Sequence, residues 1–187
     1  MDNSTQILSD ENEIIVRSLT DISAFAVLYD YYAPRVYTYI RYRVNDINTA
    51  DDLTAQTFEK ALSSLPNYQP TRSAFSAWLF GIAHHVVTRH YRTRQRQQWF
   101  SLDGFLSHQS DISSPEDTAI RNEINNQLLH AVKQLPARER DLIALKFATG
   151  LTNREIARIT GFSESNVGVI VYRAIKKLRE KLSESRD

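Results

Sequence analysis

The stretch Leu151-Thr-Asn-Arg-Glu-Ile-Ala-Arg-Ile-Thr-Gly-Phe-Ser-Glu-Ser-Asn-Val-Gly-Val-Ile-Val-Tyr-Arg-Ala174 decides how this chain is read. A Thr152 hydroxyl can cap a free backbone N–H while Glu155, three residues on, reaches back, which is the capping box of a helix start. Gly161 supplies the backbone freedom that a tight turn needs, and Ala157 sits where two helices would pass closest. After a Ser163 cap, Val167, Ile170, Val171, Ala174 and Leu178 recur at helical spacing. Ser165, Val169, Tyr172, Arg173 and Lys176 are left on the opposite face. Two short helices joined in this way form a helix-turn-helix, whose second helix suits a DNA groove.

The charge pattern agrees. From Arg173 to Lys181, the bases Arg173, Lys176, Lys177, Arg179 and Lys181 stand against Glu180 alone, a helix end suited to phosphates. The formal net charge of the whole chain is only +1, but that sum hides segregation. Between Lys60 and Leu102 there is no Asp or Glu, while Lys60, Arg72, Arg89, Arg92, Arg94 and Arg96 all fall there. The acids collect in the N-terminal tail and the middle of the chain.

With 187 residues and 42% hydrophobic content, the composition predicts two small compact domains. Cysteine is absent, so disulfides and thiolate metal sites are excluded. The N-terminus shows no export signal and no run approaches the roughly 20 apolar residues that span a bilayer, so a cytoplasmic chain without membrane insertion is expected. No nucleophile elbow, phosphate-cradling Gly loop or paired-carboxylate site is legible, which argues against an enzyme; no cofactor is expected. His84, His85 and His90 are close in sequence but have neither cysteine nor carboxylate among their neighbours, a poor metal set. Hydrogen bonds to DNA or to a helix surface suit them better.

Elsewhere the periodicity predicts only helices. Residues 1–20 read as an acidic tail, frayed from Met1 to Glu13. Phe25, Leu28, Tyr29, Tyr32, Val36 and Tyr39 mark an aromatic-rich helix that Pro34 should bend or split. A second helix is expected from Thr49, with Asp52 as its box partner, ending at Pro66. Its exposed face carries Asp51, Asp52, Gln56 and Glu59. After the loop Asn67 to Ser73, residues Phe75, Trp78, Leu79, Ile82 and Val86 open a third helix that runs into the basic segment ending at Arg96, with Phe75 and Trp78 on its core side. Residues 101–115, rich in Ser and Gly and closed by Pro115, read as a flexible linker between domains at 21–100 and 116–187. In the second domain Ile120, Ile124, Leu128 and Val132 share a face, and Leu135-Pro136 opens a helix carrying Leu142, Ile143, Leu145 and Phe147, ended by Gly150.

Taken in order, Ala50-Asp-Asp-Leu-Thr-Ala-Gln-Thr-Phe-Glu-Lys-Ala-Leu62, Ala74-Phe-Ser-Ala-Trp-Leu-Phe-Gly-Ile-Ala83, Leu135-Pro-Ala-Arg-Glu-Arg140 and the helix-turn-helix through Leu178 resemble the extracytoplasmic-function sigma factors of bacterial RNA polymerase. The resemblance covers roughly residues 23–184. It implies an all-α fold in which region 2, residues 21–100, binds core polymerase and melts the minus-10 element, while region 4, residues 116–187, reads the minus-35 element. By the same resemblance, Asp51, Asp52, Gln56 and Glu59 bind the polymerase clamp, with the flap as a further contact. Asn67, Tyr68, Arg72, His85, Arg89, Arg92, Arg94 and Arg96 belong to minus-10 DNA; the loop from Asn67 holds a flipped base, Tyr68 is a stacking candidate, and the following helix tracks the unpaired strand. Ser165, Asn166, Val169, Tyr172, Arg173, Lys176 and Lys177 belong to minus-35 DNA. The chain departs from the family at His85, where Asn is frequent, at Arg89, where an acid is frequent, and at Gly168, Val169 and Ile170, where Lys, Ser and Arg are frequent. Met1 to Thr20 is too short for an inhibitory domain, so restraint by an external anti-sigma factor is expected. The competing reading is a helix-turn-helix regulator that binds an operator without joining polymerase, which leaves the acid-free segment and the Asp51-Asp52 helix without a role.

Overall fold

The computed structural model describes residues 10–44, 46–100 and 127–184, and among these every regular element is helical. The first half comprises α1 (Glu11–Arg17), α2 (Ile22–Arg43), α3 (Ile47–Ser64), a 3-10 turn over Leu65–Asn67, and α4 (Phe75–Phe100). Helical residues 127–133 (α5) are followed by α6 (Ala137–Phe147), α7 (Asn153–Thr160) and α8 (Glu164–Glu184).

In the first half, α2, α3 and α4 pack on one another around Leu28, Val36, Tyr39, Leu53, Phe58, Leu79 and Phe80, all buried. The many rings meet edge-on, Phe25 and Tyr29 against Phe58 and Tyr39 against Phe80, which favours the positive rim of one ring over the negative face of the next. Of the two outcomes expected at Pro34, a bend or a split, the split does not occur: α2 runs unbroken from Ile22 to Arg43, with Pro34 and Asp30 both exposed, so that the carbonyl that loses its donor belongs to a solvent-facing turn. Two expectations need correction. The tail is helical from Glu11 onward: Ile15 is buried against α2 and the Tyr32 hydroxyl donates to the Glu11 carboxylate. The α3 cap is Asp46, which accepts from the backbone and hydroxyl of Thr49, so Thr49 is inside the helix it was expected to start.

In the second half the capping box is complete, with Thr152 N–H donating to Glu155 at 2.8 Å and Glu155 N–H to the Thr152 hydroxyl at 3.3 Å. Gly161 ends α7 at φ 76°, the left-handed region that costs other residues most. Asn166 N–H donates to the Ser163 hydroxyl, the expected cap of α8. Val167, Val171, Ala174 and Leu178 are buried, Ile170 half-buried, as their spacing predicts. Gly168 also contributes to the close approach, since a Cβ there would stand 3.4 Å from the Asn153 amide nitrogen. Phe147 is on α6 as expected, 61% exposed at its last turn, beyond the buried Leu142, Ile143 and Leu145. The linker expected at 101–115 and the apolar positions Ile120 and Ile124 lie outside the described residues.

The two halves are docked on each other. Helix α6 packs along α2, and α7 against α4. Two substitutions test the local logic of the second half: Gly161→Val should cost about 1–2 kcal/mol of unfolding free energy through the left-handed backbone, and Thr152→Ala about 1 kcal/mol through removal of the cap, both read from urea denaturation.

Candidate nucleic-acid interface

Three surfaces carry the residues singled out by sequence. Asp51, Asp52, Gln56 and Glu59 are all exposed on α3, opposite the buried Leu53, Thr54, Thr57 and Phe58, so they form one solvent-facing acidic and amide strip. On α4 the apolar stripe Phe75, Leu79, Phe80, Ala83, Val86 and Val87 is buried, and His85, Arg89, Arg92, Arg94 and Arg96 are exposed. On α8, Ser165, Val169, Tyr172, Arg173, Lys176 and Lys177 are exposed and Asn166 half-buried, with Tyr172 71% exposed. Part of the cationic end of α8 is already engaged: Lys177 pairs with Glu139 of α6 at 2.6 Å and Lys176 with Glu180 at 4.0 Å.

The loop between α3 and α4 is shaped by aromatics. Tyr68 is half-buried, its ring 5.1 Å from that of Trp78 and 5.5 Å from that of Phe75, and its hydroxyl donates to the Ser73 carbonyl at 3.0 Å. Asn67 and Arg72 are exposed beside it. Phe75 is buried as expected, but Trp78 is only half-buried because it lines a cleft of about 610 Å³ between α4 and α7, together with Lys60, Ile82, His85, Arg158 and Ile159. The loop thus places Asn67, Tyr68 and Arg72 together, while His85 lies further along α4 and faces the helix-turn-helix. Among the described residues no group of three His, Asp or Glu side chains is arranged to hold a metal.

Sequence reasoning missed the polar cluster that joins the halves. Asp141 of α6 forms an ion pair with Arg43 at the end of α2, accepts from the Tyr39 hydroxyl at 3.1 Å, and lies 3.3 Å from His84 Nδ1; the two charged side chains are only 14% and 10% exposed. Tyr39 and His84 are themselves 3.3 Å apart. Burial, with the Arg43 charge, lowers the His84 pKa to about 4, so His84 is neutral at neutral pH despite its carboxylate neighbour. That carboxylate is already neutralised by Arg43, which explains why proximity to Asp141 does not raise it. Burial likewise pushes the Tyr39 phenol up to about 12, leaving it a donor at every relevant pH. Arg43 reads in sequence as an ordinary last-turn base and Asp141 as one acid among many, so no signal in either marks this pair.

The comparisons with known proteins agree with this geometry. Residues 28–97 match Sigma-70 region 2 and residues 125–178 match Sigma-70, region 4. The chain belongs to the extracytoplasmic-function sigma factors. It is 34% identical over 164 residues to the ECF RNA polymerase sigma factor BldN of Streptomyces coelicolor, an alignment covering 88% of this chain and 62% of that longer protein. To the ECF RNA polymerase sigma factor SigX of Bacillus subtilis it is 29% identical, over 87% of this chain and 86% of SigX. In fold it resembles the sigma factor RpoE solved in complex with the anti-sigma factor NepR from Bartonella quintana, at TM-score 0.69 and 23% identity, covering 85% of this chain and 96% of that one. CnrH, solved in complex with the cytosolic domain of CnrY, matches at TM-score 0.67 and 22% identity, over 91% of this chain and 96% of that one. Among the described residues no helix is long and apolar enough to cross a membrane.

Two measurements probe the junction of this sigma factor. Asp141→Ala, which leaves Arg43 buried and unpaired, should destabilise the docked form by about 3 kcal/mol and raise the radius of gyration in solution scattering while helical circular dichroism is retained. The lowered His84 pKa fixes the sign of a pH effect. An exposed histidine protonates near 6.5 and this one near 4, so as pH falls through that window the unfolded chain gains protons first and stability drops. The loss attributable to His84 is at most about 3 kcal/mol. Urea midpoints compared between wild type and His84→Gln should converge between pH 6.5 and about 4.

Proposed function

We propose that this chain binds core RNA polymerase and directs promoter-specific initiation, region 2 melting and reading the minus-10 element and region 4 reading the minus-35 element. The observation that carries this reading is the pairing, on one chain and in family order, of an exposed acidic strip on α3, an acid-free helix α4 with its cations outward, and an open recognition face on α8.

Each surface suits its task. Asp51, Asp52, Gln56 and Glu59 offer carboxylates and an amide to the polymerase clamp, where complementary charge sets encounter and register. Arg89, Arg92, Arg94 and Arg96 offer a cationic track to the displaced strand, with His85, Asn67, Tyr68 and Arg72 at the end where a flipped base would lodge. Tyr68 would leave the Phe75–Trp78 cluster, or accept a base on its outer face, to stack. On α8, Val169 can touch a thymine methyl, Ser165, Asn166, Tyr172 and Arg173 can reach base edges or phosphates, and Lys176 and Lys177 suit phosphates. Bond formation itself belongs to the polymerase, and no catalytic residue is assigned to this chain. Since RpoE and CnrH were solved with protein partners, an anti-sigma factor that holds this chain away from polymerase is part of the same reading.

Run-off transcription with purified core enzyme on a genomic promoter library tests the whole reading; start sites that depend on this chain are the expected result, and none on any template overturns it. Asp52→Arg should weaken core binding with the fold intact, measured by fluorescence anisotropy. Replacing Arg92, Arg94 and Arg96 together by Ala should flatten the salt dependence of promoter binding by about 0.7–0.9 in log–log slope for each phosphate that is no longer neutralised. An unchanged slope removes those arginines from the strand-binding track.

A further inference from the structure

Where α4 passes the start of α6, a pocket of about 320 Å³ is lined by Arg43 from α2, Thr88, Tyr91, Arg92 and Gln95 from α4, and Ala137 and Arg140 from α6. Three of these seven residues are arginines, one of them already paired with Asp141, and no Asp or Glu lines the space. Of the nearby acids, Asp141 pairs with Arg43, and Glu139, in the first turn of α6, pairs through one oxygen with Lys177 while its other oxygen is buried without a hydrogen-bond partner among the described residues. Among the described residues no ion pair engages Arg92 or Arg140. Arg140 gives one nitrogen to the Lys133 carbonyl at 3.3 Å, yet its Nε is buried with no hydrogen-bond partner among the described residues. Burial, and after it the attraction of the nearby tyrosines against the repulsion of Arg140, governs the Arg43 charge, whose pKa is lowered overall.

A second observation points the same way. Helix α6, eleven residues long, has Pro136 at its N-cap, which provides no side-chain cap, and Ala137 of its first turn lines the pocket. Its first backbone N–H groups, which a Ser or Asp cap would otherwise satisfy, add the positive end of the helix dipole to the three arginines. Cations crowded around an uncapped helix start, with hydroxyl and amide donors from Thr88 and Gln95 on the far wall, form an anion site rather than a solvated surface.

We propose that this pocket binds a small phosphorylated anion, a diphosphate group either free or carried by a nucleotide, which bridges region 2 to region 4 and holds the halves docked. The size admits a diphosphate with part of a ribose. The bridge makes the anion compete with any partner that separates the halves, and with DNA for Arg92. That consequence rests on the proposed function; the site does not.

The test is calorimetric titration of the full chain with inorganic pyrophosphate and, separately, with a nucleoside diphosphate, each against sodium sulfate at equal ionic strength. The expected result is saturable binding of one pyrophosphate, weakened about tenfold or more in Arg140→Gln and abolished in Gln95→Glu, an exposed helix position where a carboxylate repels the anion without disturbing the core. Tighter binding of the nucleotide assigns the source to a nucleotide, equal binding to the free anion. A donor–acceptor dye pair on α3 and α8 should report a narrower distance distribution when pyrophosphate is present. Heats no larger than those of sulfate, or equal affinity in both variants, overturn the site; binding without any change in the dye distances overturns the bridge. A chain that supports run-off transcription yet ignores pyrophosphate loses this inference alone, and one that binds pyrophosphate yet never supports initiation loses only the proposed function.

Discussion

The docked form of this chain depends on one carboxylate, Asp141, being taken out of water. An ionised carboxylate removed from solvent costs several kcal/mol unless a cation and hydrogen-bond donors replace its hydration. Here all the replacements come from the other half of the molecule: Arg43 provides the charge, Tyr39 a hydroxyl and His84 a ring nitrogen. Apolar packing between α2 and α6 would tolerate sliding, because methyl groups are interchangeable to within their volume. The polar cluster does not, since any shift of a residue along either helix leaves a buried charge without its partner. Its contribution is therefore register more than strength, and it acts at the one place where the halves must agree.

The consequences for the surfaces follow from that register. With α6 held along α2, the helix-turn-helix is carried to α4, so that Arg158 and Ile159 of α7 face Trp78, Ile82 and His85 across the cleft. The acidic strip of α3 and the recognition face of α8 both remain open to solvent. The docked chain thus leaves both of these faces available, while the part of α4 that lines the cleft looks onto the helix-turn-helix. Under the proposed function, region 4 must move away for both promoter elements to be engaged, and the Asp141 cluster is the contact that must break. Neutral His84 keeps that contact free of a competing cation at neutral pH.

The basic character of the acid-free segment also has two outcomes in the folded chain. Arg89, Arg94 and Arg96 extend into solvent along α4, as a track for phosphates requires. Arg92 shares a pocket with Arg43 and Arg140, which are distant in sequence and come together only because α2 ends where α6 begins to pass. Like charges accumulate at that point because the two halves meet there, and the Asp141 cluster beside it offsets their repulsion.

Local chemistry makes much of the chain legible in its sequence. The Thr152–Glu155 box, the left-handed Gly161 and the spacing of Val167, Val171, Ala174 and Leu178 depend on residues within a turn or two of each other, so periodicity and capping rules determine them. The same holds for the solvent face of α3 and the buried stripe of α4. Departures arise where the environment outweighs the local rule: Pro34 stays within a helix on an exposed turn, and Glu11 is helical where Tyr32, on another helix, donates to its carboxylate. Tertiary structure alone decided that Arg43, Tyr39 and His84 meet Asp141, and that Trp78 lines a cleft instead of filling a core. Those outcomes depend on contacts between residues up to 102 positions apart, whose energy comes from shared desolvation, and neither partner of such a contact carries a mark of the other in its own stretch of sequence.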